Sequence, residues 1–417
     1  MPTSVLPEFQ QRGLVADVTS PDELGAHLAQ ASRTVYVGFD PTADSLHVGS
    51  LVPLLGLRRF QLAGHRPIVL VGGGTGLIGD PAGKTGERAL NPEEHVAAFA
   101  ERLKAQVRPF LDFDRGPHAA LLVDNYEWLS KLEVIPFLRD VGKHFGVGAM
   151  IARESVRARL STGISFTEFT YQVLQAYDFL ALNERHGCTI QMGGSDQWGN
   201  ITAGTELIRK TRGADAFGLT LPLVTKSDGT KFGKTESGTV WLDPARTSAY
   251  EMYQFWLNMT DADVVPYLKT FTFLPLADIE ALACRVAEAP EKREAQRVLA
   301  REATQLVHGA AAVTEAERIS QALFSGDVAS LSSRELDAAL RAIPSTRVPA
   351  PNGAVLVTDA LLATGLASSK RAARELIATG AIQVNGERVQ DAAREITGKA
   401  LIRKGKTTYV GVEVTPA

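Results

Sequence analysis

The chain has almost no cysteine: Cys188 and Cys284 are the only 2 in 417 residues. Two thiols cannot build a disulfide framework, which excludes the small stapled secreted folds and points to a reducing compartment. No apolar run approaches membrane-spanning length, and Met1 to Gln11 carries no basic-then-apolar leader. Both absences make a cytoplasmic protein with no membrane partner the expectation. A global basic field is missing too, because 44 Lys and Arg are set against 47 Asp and Glu, a net charge of -3. The balance is uneven, however. From Leu366 to Ala417 nine Lys and Arg face five Asp and Glu, so a basic tail follows an acidic body, a hint of a polyanionic partner. No Ser/His/Asp constellation and no Cys/His metal spacing stand out, which disfavours a covalent nucleophile or a structural zinc.

What is present is ordinary in amount and ordered in pattern. An apolar share of 45% and a charged share of 22% suit a globular protein, and the length suits two or three domains. Val35–Phe39, Pro67–Val71, Ala119–Val123 and Thr189–Met192 read as buried strands. Helical patterns over Val52–Leu62 and Pro92–Leu111 lie between them, so residues 30 to 225 predict an α/β domain with a parallel sheet. From Ser248 to Ala342 only helical patterns remain, among them Glu291–Leu306. The proline-rich stretch 344–353 reads as a linker, and a small basic segment of mixed pattern follows it. There is no internal repeat.

Two segments suggest phosphate chemistry. Asp40-Pro-Thr-Ala-Asp-Ser-Leu-His47-Val-Gly49-Ser50 follows the first strand directly. A histidine and a glycine at a strand-to-helix turn can meet a triphosphate where free N–H groups and the helix dipole favour anions. Far downstream, Lys231-Phe-Gly-Lys234-Thr235 offers two lysines as countercharge for a departing pyrophosphate. The glycine-rich Val69 to Thr85 invites two other readings, and both fail. Gly74, Gly76 and Gly79 fit dinucleotide-binding spacing, but Asp80-Pro81-Ala82-Gly83 breaks the helix that motif must open. A P-loop needs glycine where Ile78 stands. Asp80, Lys84 and Arg88 are left as charges near a strand's carboxyl end, where open α/β sheets bind ligands.

Phe169 to Leu180 is too apolar for a surface helix, yet Tyr171, Gln175 and Asp178 share one of its faces. The stripe either faces water or forms the wall of a pocket for a small polar ligand. Gly193-Gly-Ser-Asp196-Gln197-Trp198 ends another strand with groups suited to ribose hydroxyls and amides.

The two phosphate segments resemble the HIGH and KMSKS motifs of class I aminoacyl-tRNA synthetases. Tyr36, Gly72–Asp80, Tyr171/Gln175/Asp178, Gly194-Ser-Asp-Gln-Trp and Lys-Phe-Gly-Lys-Thr together resemble the tyrosyl-tRNA synthetases of bacteria, over essentially the whole chain. The resemblance implies a Rossmann-type catalytic domain over 1–235, an α-helical anticodon-side domain over 236–343, a linker over 344–353 and a small α+β RNA-binding module over 354–417. It implies that ATP, with Mg²⁺, activates L-tyrosine to the adenylate, which tRNA(Tyr) then takes up, in a homodimer. Tyr36 and Asp178 would grip the phenol hydroxyl, and Asp80, Tyr171 and Gln175 the α-ammonium. Thr75, Asn125 and Gln197 would complete the pocket. Gly38, Asp40, His47, Gly49 and Asp196 would contact ATP, with Lys84, Arg88, Lys231 and Lys234 around the pyrophosphate. Such a reaction runs on positioning and charge stabilisation, which matches the residues present.

Three positions depart from the family pattern. Ser50 replaces the second histidine of the first motif, Val37 stands where a hydrogen-bonding cysteine often sits, and Pro53 lies in the first turns of the following helix. In the tail, Leu366 to Val389 reads as a helix capped by Ser368 or Ser369, then a strand and an Asn-Gly hairpin. It resembles a small RNA-binding module shared by a ribosomal protein and pseudouridine synthases, which makes Lys370, Arg371 and Arg374 candidate RNA contacts. A tryptophan-specific synthetase and a non-enzymatic RNA-binding regulator are the competing readings. Tyr36 and Asp178 favour a phenol over an indole, and intact His47, Gly49, Lys231 and Lys234 favour an enzyme.

Overall fold

A computed structural model describes residues 3–82, 90–227, 232–235, 238–405 and 408–415; the side chains of residues 154, 155, 234 and 235 lie outside that description. The chain forms two compact units, Met1–Asp243 with Thr260–Ala295, and Pro244–Met259 with Gln296–Ala417. These units cut the chain differently from the four segments expected above. Helices Asp261–Phe271 and Leu276–Glu288 belong to the first unit, and the remaining helical stretch shares the second unit with the C-terminal segment.

In the first unit a six-stranded sheet comprises β1 (Asp17–Val18), β2 (Thr34–Phe39), β3 (Arg66–Val71), β4 (Leu121–Asp124), β5 (Cys188–Gly194) and β6 (Phe217–Leu221). Its order is β1-β6-β5-β2-β3-β4, parallel throughout except for β1, which runs antiparallel to β6. The chain leaves β2 towards β3 and β4 and returns on the other side as β5. A crevice therefore opens at the carboxyl ends of β2 and β5, the point where strand order reverses. Helices cover both faces, so the strands are near-continuous apolar runs with Val35, Ile68, Val69 and Ile190 fully buried.

Four helices position the site: α1 (Leu51–Leu62), α2 (Glu93–Val107), α3 (Phe166–His186) and α4 (Trp198–Arg212). α1 packs so closely on the sheet that a Cβ on Gly56 would lie 2.8 Å from Met192 Cε. Pro53 falls in its first turn, among the N–H groups that lack an intrahelical acceptor, so it costs no hydrogen bond. α3 starts where Ser165 Oγ accepts the Glu168 amide at 3.2 Å and stops at Gly187, whose φ of 60° few other residues adopt.

The second unit holds helices Ala249–Leu257, Ala310–Ser325 and Ser333–Ala342, the first and last opened by Ser/Glu capping boxes. Its five-stranded sheet runs in the order Glu387–Arg388, Ile382–Val384, Lys399–Lys404, Thr408–Thr415, Ser345–Pro349. The expected linker is thus corrected in part. Ser345–Pro349 is an edge strand, paired in parallel with the last strand from Gly411 to Thr415. Proline is tolerated at a sheet edge because no neighbour needs its missing N–H, and composition alone misses that. Helices Val357–Ala363 and Lys370–Ala378 close this part over a core of Val357, Leu361, Ile377 and Ile402.

Candidate functional site

A cavity of about 450 Å³ fills the crevice at the switch point. It gathers Tyr36, Gly38, Asp40, His47, Gly49, Thr75, Asp80, Tyr171, Gln175, Asp178, Asp196 and Gln197, twelve of the candidate residues, from five separate stretches of chain. Asn125 stands directly behind it, fully buried. Lys84, Arg88 and Lys231 lie outside the described residues, and of Lys234 only the backbone is described. Lys370, Arg371 and Arg374 lie on the second unit's helix Lys370–Ala378, exposed. Ser369, not Ser368, caps that helix, its Oγ accepting the Ala372 amide at 3.1 Å.

The deep end is a polar network in an apolar shell. Asp178, on α3, accepts from Asn125 Nδ2 at 2.9 Å and from Trp128 Nε1 at 2.7 Å. Asn125 also donates to Thr75 Oγ1 at 2.9 Å and accepts the Gly74 amide at 2.7 Å, which ties β4's end to the glycine turn after β3. Despite two donors, burial pushes the Asp178 carboxyl up to about 8. Tyr36 projects from β2 with its hydroxyl buried and unpartnered, and burial beside Asp178 raises its pKa well above the usual value. An orphaned buried hydroxyl is costly, by about 1–3 kcal/mol, unless a ligand satisfies it.

One turn outward, Tyr171 Oη donates to Asp40 Oδ2 at 2.8 Å, and Thr75 Oγ1 donates to Asp40 Oδ1 at 2.7 Å. Asp80 accepts from Gln197 Nε2 at 2.7 Å and from the Ala82 amide at 2.9 Å, while burial pushes its carboxyl up to about 6. Gln175 is held through its Oε1 by Asn200 Nδ2 at 2.9 Å, and the same amide reaches Gln197 Oε1 at 3.2 Å. Tyr171 Oη, Asp80 and Gln175 thus line the cavity with oxygen acceptors.

The glycine turns serve close approach. A Cβ at Gly72 would lie 2.0 Å from Asp40 Oδ1, and one at Gly73 2.3 Å from Asp124 Oδ1. Among the described residues, 78–82 after the short 3-10 turn Thr75–Leu77 form no helix, in keeping with rejecting the dinucleotide reading. Gly38 is the exposed residue of an otherwise buried central strand, which leaves the crevice mouth open beside Val37.

The two phosphate motifs meet through the stretch that follows the second. Val48 N donates to Val240 O at 3.0 Å, Leu242 N to Leu46 O at 2.8 Å, and Val240 N to Gly233 O at 2.9 Å. His47 caps the turn before α1, its Nδ1 accepting the Gly49 amide at 3.0 Å. Desolvation lowers its pKa, so at neutral pH the ring is uncharged with its proton on Nε2, a donor lining the cavity. A Cβ at Gly49 would sit 2.7 Å from the ring. His47 is bridged by Trp241, which the sequence reading missed, as it missed Trp128 and Asn200. The last two had a signal: each lies three residues after a chosen residue, Asn125 or Gln197, at a strand end.

A parallel sheet whose switch-point crevice joins a His-x-Gly turn to a lysine-bearing segment defines a class I aminoacyl-tRNA synthetase, and the family described as tRNA synthetases class I (W and Y) matches residues 29–325. Residues 335–412 match the SYY-like C-terminal domain of tyrosine–tRNA ligases. A tyrosine–tRNA ligase of Geobacillus kaustophilus (strain HTA426) is 57% identical over 97% of this chain and 98% of its own, and one of Desulfitobacterium hafniense (strain DSM 10664 / DCB-2) is 54% identical over 99% and 100%. The solved C-terminally truncated mitochondrial tyrosyl-tRNA synthetase of Aspergillus nidulans superposes with a TM-score of 0.70 at 31% identity, covering 77% of this chain and 94% of that one. The chain belongs to the tyrosine–tRNA ligase family.

Proposed function

We propose that this protein joins L-tyrosine to ATP, giving tyrosyl-adenylate and pyrophosphate, and then passes the tyrosyl group to the 3′ end of tRNA(Tyr). The observation that carries the pocket assignment is the unpartnered Tyr36 hydroxyl beside Asp178 at the closed end of the cavity. A hydroxyl and a carboxyl there can both donate to and accept from a phenol, which an indole cannot use. Asp80, Tyr171 and Gln175 offer three acceptors for the three N–H bonds of an α-ammonium. The substrate carboxylate then points towards the cavity mouth, where it attacks the α-phosphorus of ATP in line as pyrophosphate leaves. Gly38, Asp40 and Asp196 hold the nucleoside in this reading. His47 Nε2–H and the turn at Gly49 bind phosphate, and Lys84, Arg88, Lys231 and Lys234 take up charge on the leaving group. In this reading Mg²⁺ enters as part of the nucleotide substrate, on its phosphates. A terminal-adenosine hydroxyl of the tRNA next attacks the mixed anhydride and AMP departs. Lys370, Arg371 and Arg374, in the segment from 354 onward that we assign to RNA, contact the tRNA backbone.

Tyrosine-dependent ATP–pyrophosphate exchange tests this directly, and its pH profile tests the pocket. Asp80 holds an ammonium only when ionised. Because its carboxyl titrates near 6, kcat/KM for tyrosine should fall as pH drops through about 6. Asp80→Asn should be weaker overall and flat in that range. Exchange driven by tryptophan, or none with any amino acid, would remove the proposal.

We further place the protein in the cytoplasm, as the sparse cysteine suggests; among the described residues no helix is long and apolar enough to cross a membrane. We also infer a homodimer. Between Val134 and Phe166 the first unit exposes Val134, Ile135, Leu138, Val147, Leu160 and Phe166, with Ile135 74% and Phe166 75% accessible. Such clustering marks a surface that another protein covers. Sedimentation should give twice the chain mass for the parent and the single mass for Ile135→Asp. A parent that sediments as one chain at micromolar concentration would rule the dimer out.

A further inference from the structure

Three residues of the helix Asp261–Phe271, at i, i+4 and i+8, touch the chain just before and within the Lys231–Lys234 segment. Asp263 is 5% exposed, yet its carboxylate does not serve its own helix alone. Oδ1 accepts the Ser227 amide at 2.9 Å, and Oδ2 accepts Ser227 Oγ at 3.1 Å and Thr260 Oγ1 at 2.8 Å. One turn later Tyr267 Oη donates to Thr225 O at 3.0 Å. Another turn on, Phe271 stacks on Phe232, with ring centroids 5.2 Å apart at 17°, while Tyr267 meets the same ring edge-on at 5.1 Å. Thr225 and Ser227 precede the lysine segment and Phe232 lies inside it.

The helix is itself fixed to the sheet. Arg59, buried on α1, donates through Nη2 to Lys269 O, Thr270 O and Thr272 O at 3.3, 3.2 and 2.7 Å. Arg12 Nη2 donates to Leu274 O at 2.8 Å. The carbonyls at the helix C-terminus, which have no partner within the helix, are thereby tied to guanidinium groups of the nucleotide-binding unit. The contacts run from α1, through this helix, to Thr225, Ser227 and Phe232.

We propose that Asp263, with Tyr267 and Phe271, is a positioning residue for adenylate formation: the stripe sets the register in which the Lys231–Lys234 segment presents its charge to the departing pyrophosphate. The proposal rests on the reading of those lysines given above. Asp263 contacts no reacting atom. It acts by holding Ser227, and an offset of about 1 Å in a charged group at the reacting centre is enough to cost ~100-fold in rate.

The test uses the full-length protein and measures three things for each variant: tyrosine affinity by equilibrium binding, the single-turnover rate of adenylate formation with saturating ATP and tyrosine, and the melting temperature. Asp263→Ala should slow adenylate formation about 10- to 100-fold and leave the tyrosine Kd within about twofold. Asp263→Asn keeps an acceptor oxygen for the Ser227 amide and should recover much of the rate. Tyr267→Phe keeps the ring against Phe232 and should lose only a few-fold. The sharper readout is coupling. In a Lys234→Ala background, Asp263→Ala should cost far less than it does alone, because the charge it positions is already gone. Full additivity of the two substitutions would overturn the proposal, as would an unchanged rate or a parallel loss of tyrosine affinity and rate. A parent protein with no tyrosine-dependent activation would instead count against the underlying function, so the two failures are distinguishable.

Discussion

Removing residues 345–417 is expected to abolish tRNA charging while tyrosine-dependent pyrophosphate exchange stays within a few-fold of the parent. Every residue assigned to the tyrosine and ATP sites lies before Thr235, inside the first unit. The late basic excess lies beyond Leu366, in the second. The cut belongs at Pro344, because Ser345–Pro349 is a strand of the C-terminal sheet and leaving it behind would strand an unpaired edge. The truncation uncovers some of the helical part of its own unit, since Tyr409 Oη donates to Leu323 O in that unit. A melting curve should accompany the assay for that reason. Phosphate contacts by Lys370, Arg371 and Arg374 predict a steep fall of tRNA affinity with salt. Replacing all three by alanine should flatten the log–log slope by about 3 and weaken binding without favouring any one sequence. Lys370 and Arg371 have only exposed ion pairs to give up, with Asp359 at 2.7 Å and Glu375 at 3.1 Å, and such pairs hold a side chain weakly. Normal charging by the truncated protein would show that the module is not the tRNA clamp.

The sheet was legible because its strands are buried on both faces and so read as apolar runs; β2, β3, β4 and β5 fall within two residues of their expected ends. β1 has only two residues and carries no pattern. β6, Phe217–Leu221, contains Gly218, which reads as a break but is required by packing: a Cβ there would sit 2.5 Å from Ile201 Cγ2. Cavity residues were found where chemistry and spacing coincide, as on α3. The residues that hold them were harder to see. Trp128 is a donor to Asp178 only because β4 ends beside α3, and Asn200 bridges Gln175 and Gln197 only because α3 packs on α4. Such partners are products of tertiary contact, and a single sequence records them as an ordinary tryptophan and an ordinary asparagine. Composition misled in the opposite direction at 345–349, where prolines suggested a linker and edge pairing made a strand.

The largest change of specificity should come from the two residues at the closed end. Enzymes of this family are the standard case in which a site built to hydrogen-bond a hydroxyl rejects the analogue that lacks it. Here the hydroxyl that would be left unpaired by phenylalanine is that of Tyr36, buried and without a protein partner. Tyr36→Phe removes that penalty, so preference for tyrosine over phenylalanine should fall about 5- to 150-fold, from the ~1–3 kcal/mol cost of an unpaired buried group. Asp178→Asn is predicted to do more. The carboxylate accepts from Asn125 Nδ2 on one oxygen and Trp128 Nε1 on the other, so an amide there must set its NH₂ against a donor whichever way it turns. That conflict should lower the melting temperature as well as the specificity. The ratio of kcat/KM for the two amino acids separates these effects, because both are measured on one sample and the folded fraction cancels. If Asp178→Asn melts early but keeps the parent's ratio, and Tyr36→Phe keeps it too, the phenol does not bind at this end of the cavity.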